Sequence, residues 1–357
     1  MKQLISPKTG FNLYPVILII LCINLLASCG NKAKYPDTSK IQIELEAVRF
    51  EQDFFSMDTV DINTAMEKLR AKHHNFTNDF VLRILGLEGV DTALWGTAIK
   101  QFYRDYKPIY DSTRLMEEEI MIAFDKTKEG LKNVKYYFPK YNLPEQFITF
   151  VGPIDAFASG ATGGSGDIIT TFALGIGLQL HLGDNSSIYN SEQGMQLYPT
   201  YISRKFTHEY IPVNCMKNAI DDIFPPIKNG ASLLEVFIDH GKRMYLLDLF
   251  LPETEDTLKL GYSASQLKGA EKNQGLIWNY FLENNLLYET DQFKIRSFIN
   301  DGPSTMEFGE GSPGFISLFV GRQIIQAYIE KHPETTLDAL LNLDAKKIFS
   351  ASGYKPR

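Results

Sequence analysis

The sequence predicts an α+β fold, helix-rich with a small central antiparallel or mixed sheet. Two observations carry the prediction. Amphipathic stretches of helical length cover most of residues 61–137 and 198–350. Between them, at 147–151 and 168–182, lie two runs of β-type residues separated by a glycine-rich loop.

The chain opens on a targeting segment. Lys2 and Lys8 make a positive start, and an apolar stretch follows from about Tyr14 to Leu26. A spanning helix needs roughly 20 apolar residues; a signal-peptide core needs about 7–15. The stretch ends in Leu26-Ala27-Ser28-Cys29, then Gly30. Small residues suit a peptidase cleft, and the Cys29 thiol is placed to receive a lipid. These features predict a leader over 1–28, lipid attachment at Cys29 and a polar tether over 29–40. A single domain over 41–357 follows. The competing reading is an uncleaved anchor whose cysteine is incidental. Cys22 leaves with the leader, so Cys215 is the one free thiol and no internal disulfide forms. It is expected to be a small buried apolar residue.

Removing the leader removes two lysines and no acid. That leaves 34 basic against 43 acidic residues, a net charge of −9, on 329 residues. Such a balance disfavours nucleic acid and anionic membrane surfaces as partners.

Residues 41–50 alternate apolar and polar and predict a strand. Helices follow at 61–73, with Asp61 or Asn63 near the cap, at 80–87, 94–106 and 115–137. The last has Glu117, Glu118 and Glu119 early and four lysines late, which suits the helix dipole. The loop from Ser159 to Asp167 lacks the Lys-Ser/Thr pair of a phosphate loop. It reads as a hairpin connection in which glycine supplies positive φ. Further helices are expected at about 198–211, 213–223, 232–250, 263–284, 291–299, 314–331 and 336–350. Pro225-Pro226 and Pro333 act as stops.

The stretch that points most to chemistry is Lys205-Phe206-Thr207-His208-Glu209-Tyr210-Ile211-Pro212. In a His-Glu-x-x-His helix the two imidazoles share one face and bind zinc, while the Glu activates water. Here Pro212 holds the second ligand position, and its ring clashes with the carbonyl four residues back, at His208. His240, Asp239 or Glu235 would have to complete a two-histidine, one-carboxylate set with His208, leaving Glu209 as the candidate catalytic base. The opposing reading makes His208 and Glu209 hydrogen-bonded structural residues. Glu307-Phe308-Gly309-Glu310 reads as a solvated turn, and His73-His74 as a helix end.

Four stretches together carry a resemblance: Arg49 to Phe55, Tyr210 to Met216, Asp239 to Tyr245, and Pro313 to Tyr328. In these the chain resembles the gliding-motility lipoprotein GldB family of Bacteroidetes. The family is similar in layout to predicted zinc-dependent, zincin-like peptidases, so the resemblance implies a zincin-like body. The metal motif departs from theirs at Pro212 and at His240, which stands before Gly241 where that pattern has glutamate. The resemblance implies a membrane-anchored lipoprotein required for gliding, partnered by gliding or secretion-machinery proteins. Residues 30–35 lack an acidic cluster of the kind that sends such lipoproteins to the cell surface, so the anchor is expected to face the periplasm. The departures favour a non-catalytic protein without a cofactor. The alternatives are an active metallopeptidase with a non-standard zinc site and a small-molecule-binding lipoprotein.

Overall fold

The computed structural model describes residues 35–155, 157 and 164–357. The leader, Cys29 and most of the tether lie outside the described residues, as do residues 158–163 of the glycine-rich loop. Among the described residues the sheet has four strands: β1 (Glu46–Arg49), β2 (Gln146–Phe150), β3 (Ile168–Ile169) and β4 (Ala173–Gly177). Their order is β1-β2-β4-β3; β1, β2 and β4 run parallel, and β3 is antiparallel to β4. The α+β class holds, with a mixed sheet. Every residue of β4 is buried, and so is all of β2 after Gln146. Burial on both faces explains why these strands read as apolar runs without alternation.

The glycine-rich loop is not a hairpin connection, because β2 and β4 are parallel and the loop belongs to the crossover between them. The hairpin lies further on. The Thr170 hydroxyl accepts the Ala173 backbone N–H at 3.0 Å and turns β3 into β4. Gly166 at the end of the loop and the glycines of β4 serve close packing: a Cβ on Gly166 would stand 2.6 Å from Leu180. A Cβ on Gly177 would stand 2.8 Å from the Gly166 carbonyl oxygen, and one on Gly175 would stand 2.7 Å from Ile168.

The principal helices are α1 (Ile62–Lys72), α2 (Thr92–Thr113), α3 (Glu117–Tyr137), α4 (Tyr210–Ile223), α5 (Leu233–Phe250), α6 (Ala264–Lys272), α7 (Gln274–Glu283), α8 (Gln292–Ile299), α9 (Ile316–Lys331) and α10 (Ala345–Ser352). Local signals set several starts. Asp61 accepts the Thr64 N–H, and Ser232 and Glu235 form a reciprocal capping box. Several expectations shift: the helix expected over 263–284 divides at Asn273, and the one expected over 336–350 divides at Leu343 and Asp344. The strand predicted over 41–50 is cut to four residues, because Phe50 opens a helical turn (Phe50–Phe55) that drives Phe50, Phe54 and Phe55 into an aromatic core. Helix α2 outruns its predicted end and passes through Pro108. Tyr103 and Tyr110 hold it there against Phe55, the latter stacked at 4.7 Å, so packing overrides the broken backbone bond.

Residues Thr38–Arg357 form one compact unit. Its centre is the pair α5 and α9. Of the 18 residues of α5, all but Glu235 and Tyr245 are buried. The two helices cross at Gly241 and Gly321, where a Cβ on Gly241 would overlap the Gly321 carbonyl and one on Gly321 would overlap that of Phe237. Charges on so buried a helix must be paired. Asp248 accepts from Arg322 Nε at 2.9 Å and from Lys259 Nζ at 2.9 Å. Lys242 donates to the carbonyls of Leu341 and Leu343.

Gly241→Ala is expected to destabilise the protein by about 2 kcal/mol or more, because overpacking outweighs the gain of about 1 kcal/mol in helix propensity. Gly311→Ala, which meets nothing within 4 Å, should stay within about 0.5 kcal/mol of the parent. Urea unfolding of both variants decides the matter; equal midpoints would refute the role given to the crossing.

Candidate functional site

Helix α4 begins at Tyr210, three residues before the start expected at 213, and the helix expected over 198–211 does not form as such. A short helical turn (Thr200–Ser203) is followed by a turn-like stretch that belongs to no helix, and Pro212 sits in the first turn of α4. There its missing N–H is one of the donors that a helix start leaves unpaired anyway. His208 and Glu209 therefore precede the helix and are not displayed on it. Glu209 is exposed and accepts from the Thr207 hydroxyl at 2.6 Å; His208 is half-buried.

The other candidates are committed elsewhere. Asp239 accepts from Arg243 Nε at 2.7 Å, and the same guanidinium donates to Asp221 at 2.6 Å and to the Phe224 carbonyl at 2.7 Å. Burial pushes the Asp239 carboxyl up, while Arg243 pulls it back. His240 Nδ1 lies 2.8 Å from the Ser317 hydroxyl, and its ring stands edge-on to Phe315. Burial, with Arg243 nearby, pushes the His240 imidazole down to about 3, so it is neutral. Glu235 is spent on the cap of α5. Among the described residues no group of three His, Cys, Asp or Glu side chains is placed to hold a metal ion. Cys215 is buried.

The residues that do converge are others. A small recess of about 30 Å³ opens between the glycine-rich loop at Gly164–Gly166, the start of α4, Gly261 and Phe315. His181, Lys205, Asn214, Lys217 and Asp301 supply its polar lining. The wall at Phe315 is held in left-handed backbone geometry, with φ of 56°. For a bulky residue that conformation costs of order 1–3 kcal/mol. It is pinned by Tyr262, whose hydroxyl donates to the Phe315 carbonyl at 2.9 Å, and by the bond from the Phe315 N–H to the Asn300 carbonyl at 2.9 Å.

His181 and Asp167 form a buried pair beside this recess. His181 Nε2 lies 2.9 Å from both Asp167 oxygens, and Nδ1 lies 3.1 Å from the Thr207 carbonyl. Both ring nitrogens thus face acceptors, which only a doubly protonated ring can satisfy. Burial alone would lower the imidazole; the Asp167 charge and hydrogen bonds overcome it and leave it raised. Asp167 also accepts the Gly177 N–H at 3.0 Å and Asn214 Nδ2 at 2.7 Å. An imidazolium so held has no lone pair for a metal or a proton.

Lys205 pairs with Asp301 at 2.5 Å, and Gly261 at φ of 71° lets the backbone approach the lysine stem. Removal from water pushes both ammonium groups down. Lys217 is pushed down to about 8, with Lys205 adding repulsion and Asp301 and Asp221 opposing it.

The sequence reading missed this set. A lone histidine inside the apolar run 168–182 is its one local signal, since a buried imidazole needs partners. Asp167, Lys205, Lys217 and Asp301 carry none, being brought together from distant parts of the chain.

The fold and site define an α+β protein whose polar recess is built on a fixed ion pair. No helix among the described residues is long and apolar enough to cross a membrane. Residues 31–356 match the family described as gliding motility protein GldB, so the chain belongs to the GldB gliding-motility lipoproteins, a membrane-associated family. No curated protein and no solved structure matches the chain.

The His181–Asp167 pair makes a pH prediction. A pKa raised on folding adds stability that is complete below the unfolded value of about 6.5 and is lost as pH climbs through the folded value. The stability advantage of the parent over His181→Gln should shrink above pH ~6.5, by at most about 1.4 kcal/mol per pH unit. Urea unfolding at pH 6 and pH 9 tests this; an unchanged difference means that His181 is not the imidazolium described.

Proposed function

We propose that this chain is a lipid-anchored, periplasm-facing component of the gliding machinery that binds partner proteins and does not cut them. Family membership supports the motility role, and the lipobox at Cys29 supports the anchor. The observation that carries the non-catalytic part is the state of the histidines. His181, beside the recess, has both nitrogens turned to acceptors, and His240 is locked to Ser317. A peptidase needs a base or a metal with an open position at its cleft.

The metallopeptidase reading would require Asp239 to leave Arg243, or Glu235 to give up the cap of α5, and His240 to turn away from Ser317. Zinc measured by mass spectrometry on the purified full chain is expected to be substoichiometric and unchanged by His208→Ala. One zinc per chain, lost in that variant, would establish the peptidase-type site instead.

For the motility role, cells lacking the chain are expected to form non-spreading colonies, and normal spreading would refute it. For the anchor, Cys29→Ser should abolish palmitate labelling and release the protein from membranes. Label persisting on that variant would place the lipid elsewhere.

A further inference from the structure

Strand β1 is the outer strand of the sheet, and its free edge is open. The Glu46 N–H bonds to the Glu145 carbonyl at 2.9 Å, and the Thr149 hydroxyl donates to the Val48 carbonyl at 3.4 Å. Glu46 and Val48 therefore turn their backbone groups towards β2. Direction alternates along a strand, so the N–H and C=O of Ala47 point away from the sheet. Among the described residues no hydrogen bond takes them up, and Ala47 is exposed although β2 beside it is buried. The chain leading into β1 behaves alike. Residues 41–45 alternate apolar and polar as a strand does, yet they join no strand. An open edge of this kind is a template for a further strand.

Charge selects the occupant. A groove of about 600 Å³ lies at the start of β1, with Ile43, Leu45 and Phe172 in its walls. That size is within the range of ligand clefts, roughly 300–1,000 Å³. Glu44, Glu46 and Glu145 line it against Lys128, whose ammonium stands 5.9 Å over the Phe124 ring. A second copy of the chain would bring the same carboxylates to the same edge, and like charges oppose pairing. A strand that carries lysine or arginine would neutralise them.

We propose that the free edge of β1 takes up an extended, basic segment of a partner protein as a further strand, with its lysine or arginine side chains against Glu44, Glu46 and Glu145. The proposal rests on the reading of the chain as a partner-binding protein, and it names the surface and the kind of partner. Main-chain bonds to Ala47 supply affinity whatever the sequence of the added strand, and the carboxylates supply the choice among sequences.

Calorimetric titration of the full chain in a neutral detergent tests it with end-blocked peptides: one alternating Lys and Val, one alternating Glu and Val, and the Lys-Val peptide fully N-methylated. The Lys-Val peptide is expected to bind about tenfold or more tightly than either of the others. Glu44→Gln combined with Glu46→Gln should bring it down towards the level of the Glu-Val peptide. Ala47→Pro removes the outward N–H at a position where an edge strand tolerates proline, and it should weaken the Lys-Val peptide about tenfold. If Ala47→Pro fails to fold, the N-methylated peptide decides the same point. Equal binding of the Lys-Val and Glu-Val peptides, or of the Lys-Val peptide and its N-methylated form, would overturn the proposal. So would a dimer of the chain, seen by sedimentation, that Ala47→Pro dissociates, because the edge then belongs to a second copy. Peptide recovered cut would sink the non-cutting reading instead, whereas peptide recovered intact and unbound sinks this surface alone, so the two failures are told apart.

Discussion

The close crossing of α5 and α9 at Gly241 and Gly321 constrains most of what surrounds it. With no Cβ on either residue the two backbones meet directly, and α5 is enclosed on nearly every side. Enclosure has an electrostatic consequence, because a charge without a partner there would cost several kcal/mol. Asp239, Lys242, Arg243 and Asp248 are accordingly all bonded, to Arg243, to backbone carbonyls, to Asp221 and to Arg322 with Lys259. The stretches that carry the family resemblance, Asp239 to Tyr245 and Pro313 to Tyr328, are the two halves of this assembly.

The same crossing decides which residues are free for chemistry. His240 faces Ser317 at the start of α9 and is neutral, and Asp239 is spent on a guanidinium. Polar function is displaced to the other end of α4, where Asp167 and His181 tie the glycine-rich loop to the segment after β4. That pair is buried and bonded through every polar atom it presents, so it stiffens the recess. Lys205 and Lys217 line the same recess.

Pro212 illustrates how a local rule is read correctly and placed wrongly. Proline cannot sit in a helix interior, and the sequence reading used it to end one helix and begin another. The alternative, a first-turn position, obeys the same rule, and packing of Tyr210, Ile211 and Val213 into the core selects it. Pro108 is the converse case, tolerated within α2 because aromatic contacts on both sides hold the helix together. The glycine-rich loop gave up its hairpin reading for a similar reason. Whether β2 and β4 run parallel depends on what lies across the sheet, which no turn residue encodes.

Helix starts at Ile62 and Leu233, the apolar strands and the α+β class were legible because their signals act within a few residues. A cap reaches three positions on, and a buried strand declares itself by composition. The site was not legible, because its members have no local relation. His181 meets Asp167 across a hairpin, and Lys205 meets Asp301 across 96 positions. Their meeting depends on where α4, the loop after α8 and the start of α9 come to rest, and that is decided by apolar packing at Gly241 and Gly321. The sequence by itself determined which segments are helix or strand and which charges are present. Only the tertiary structure decided which of those charges neutralise one another and which line the recess, because those meetings depend on packing between distant segments.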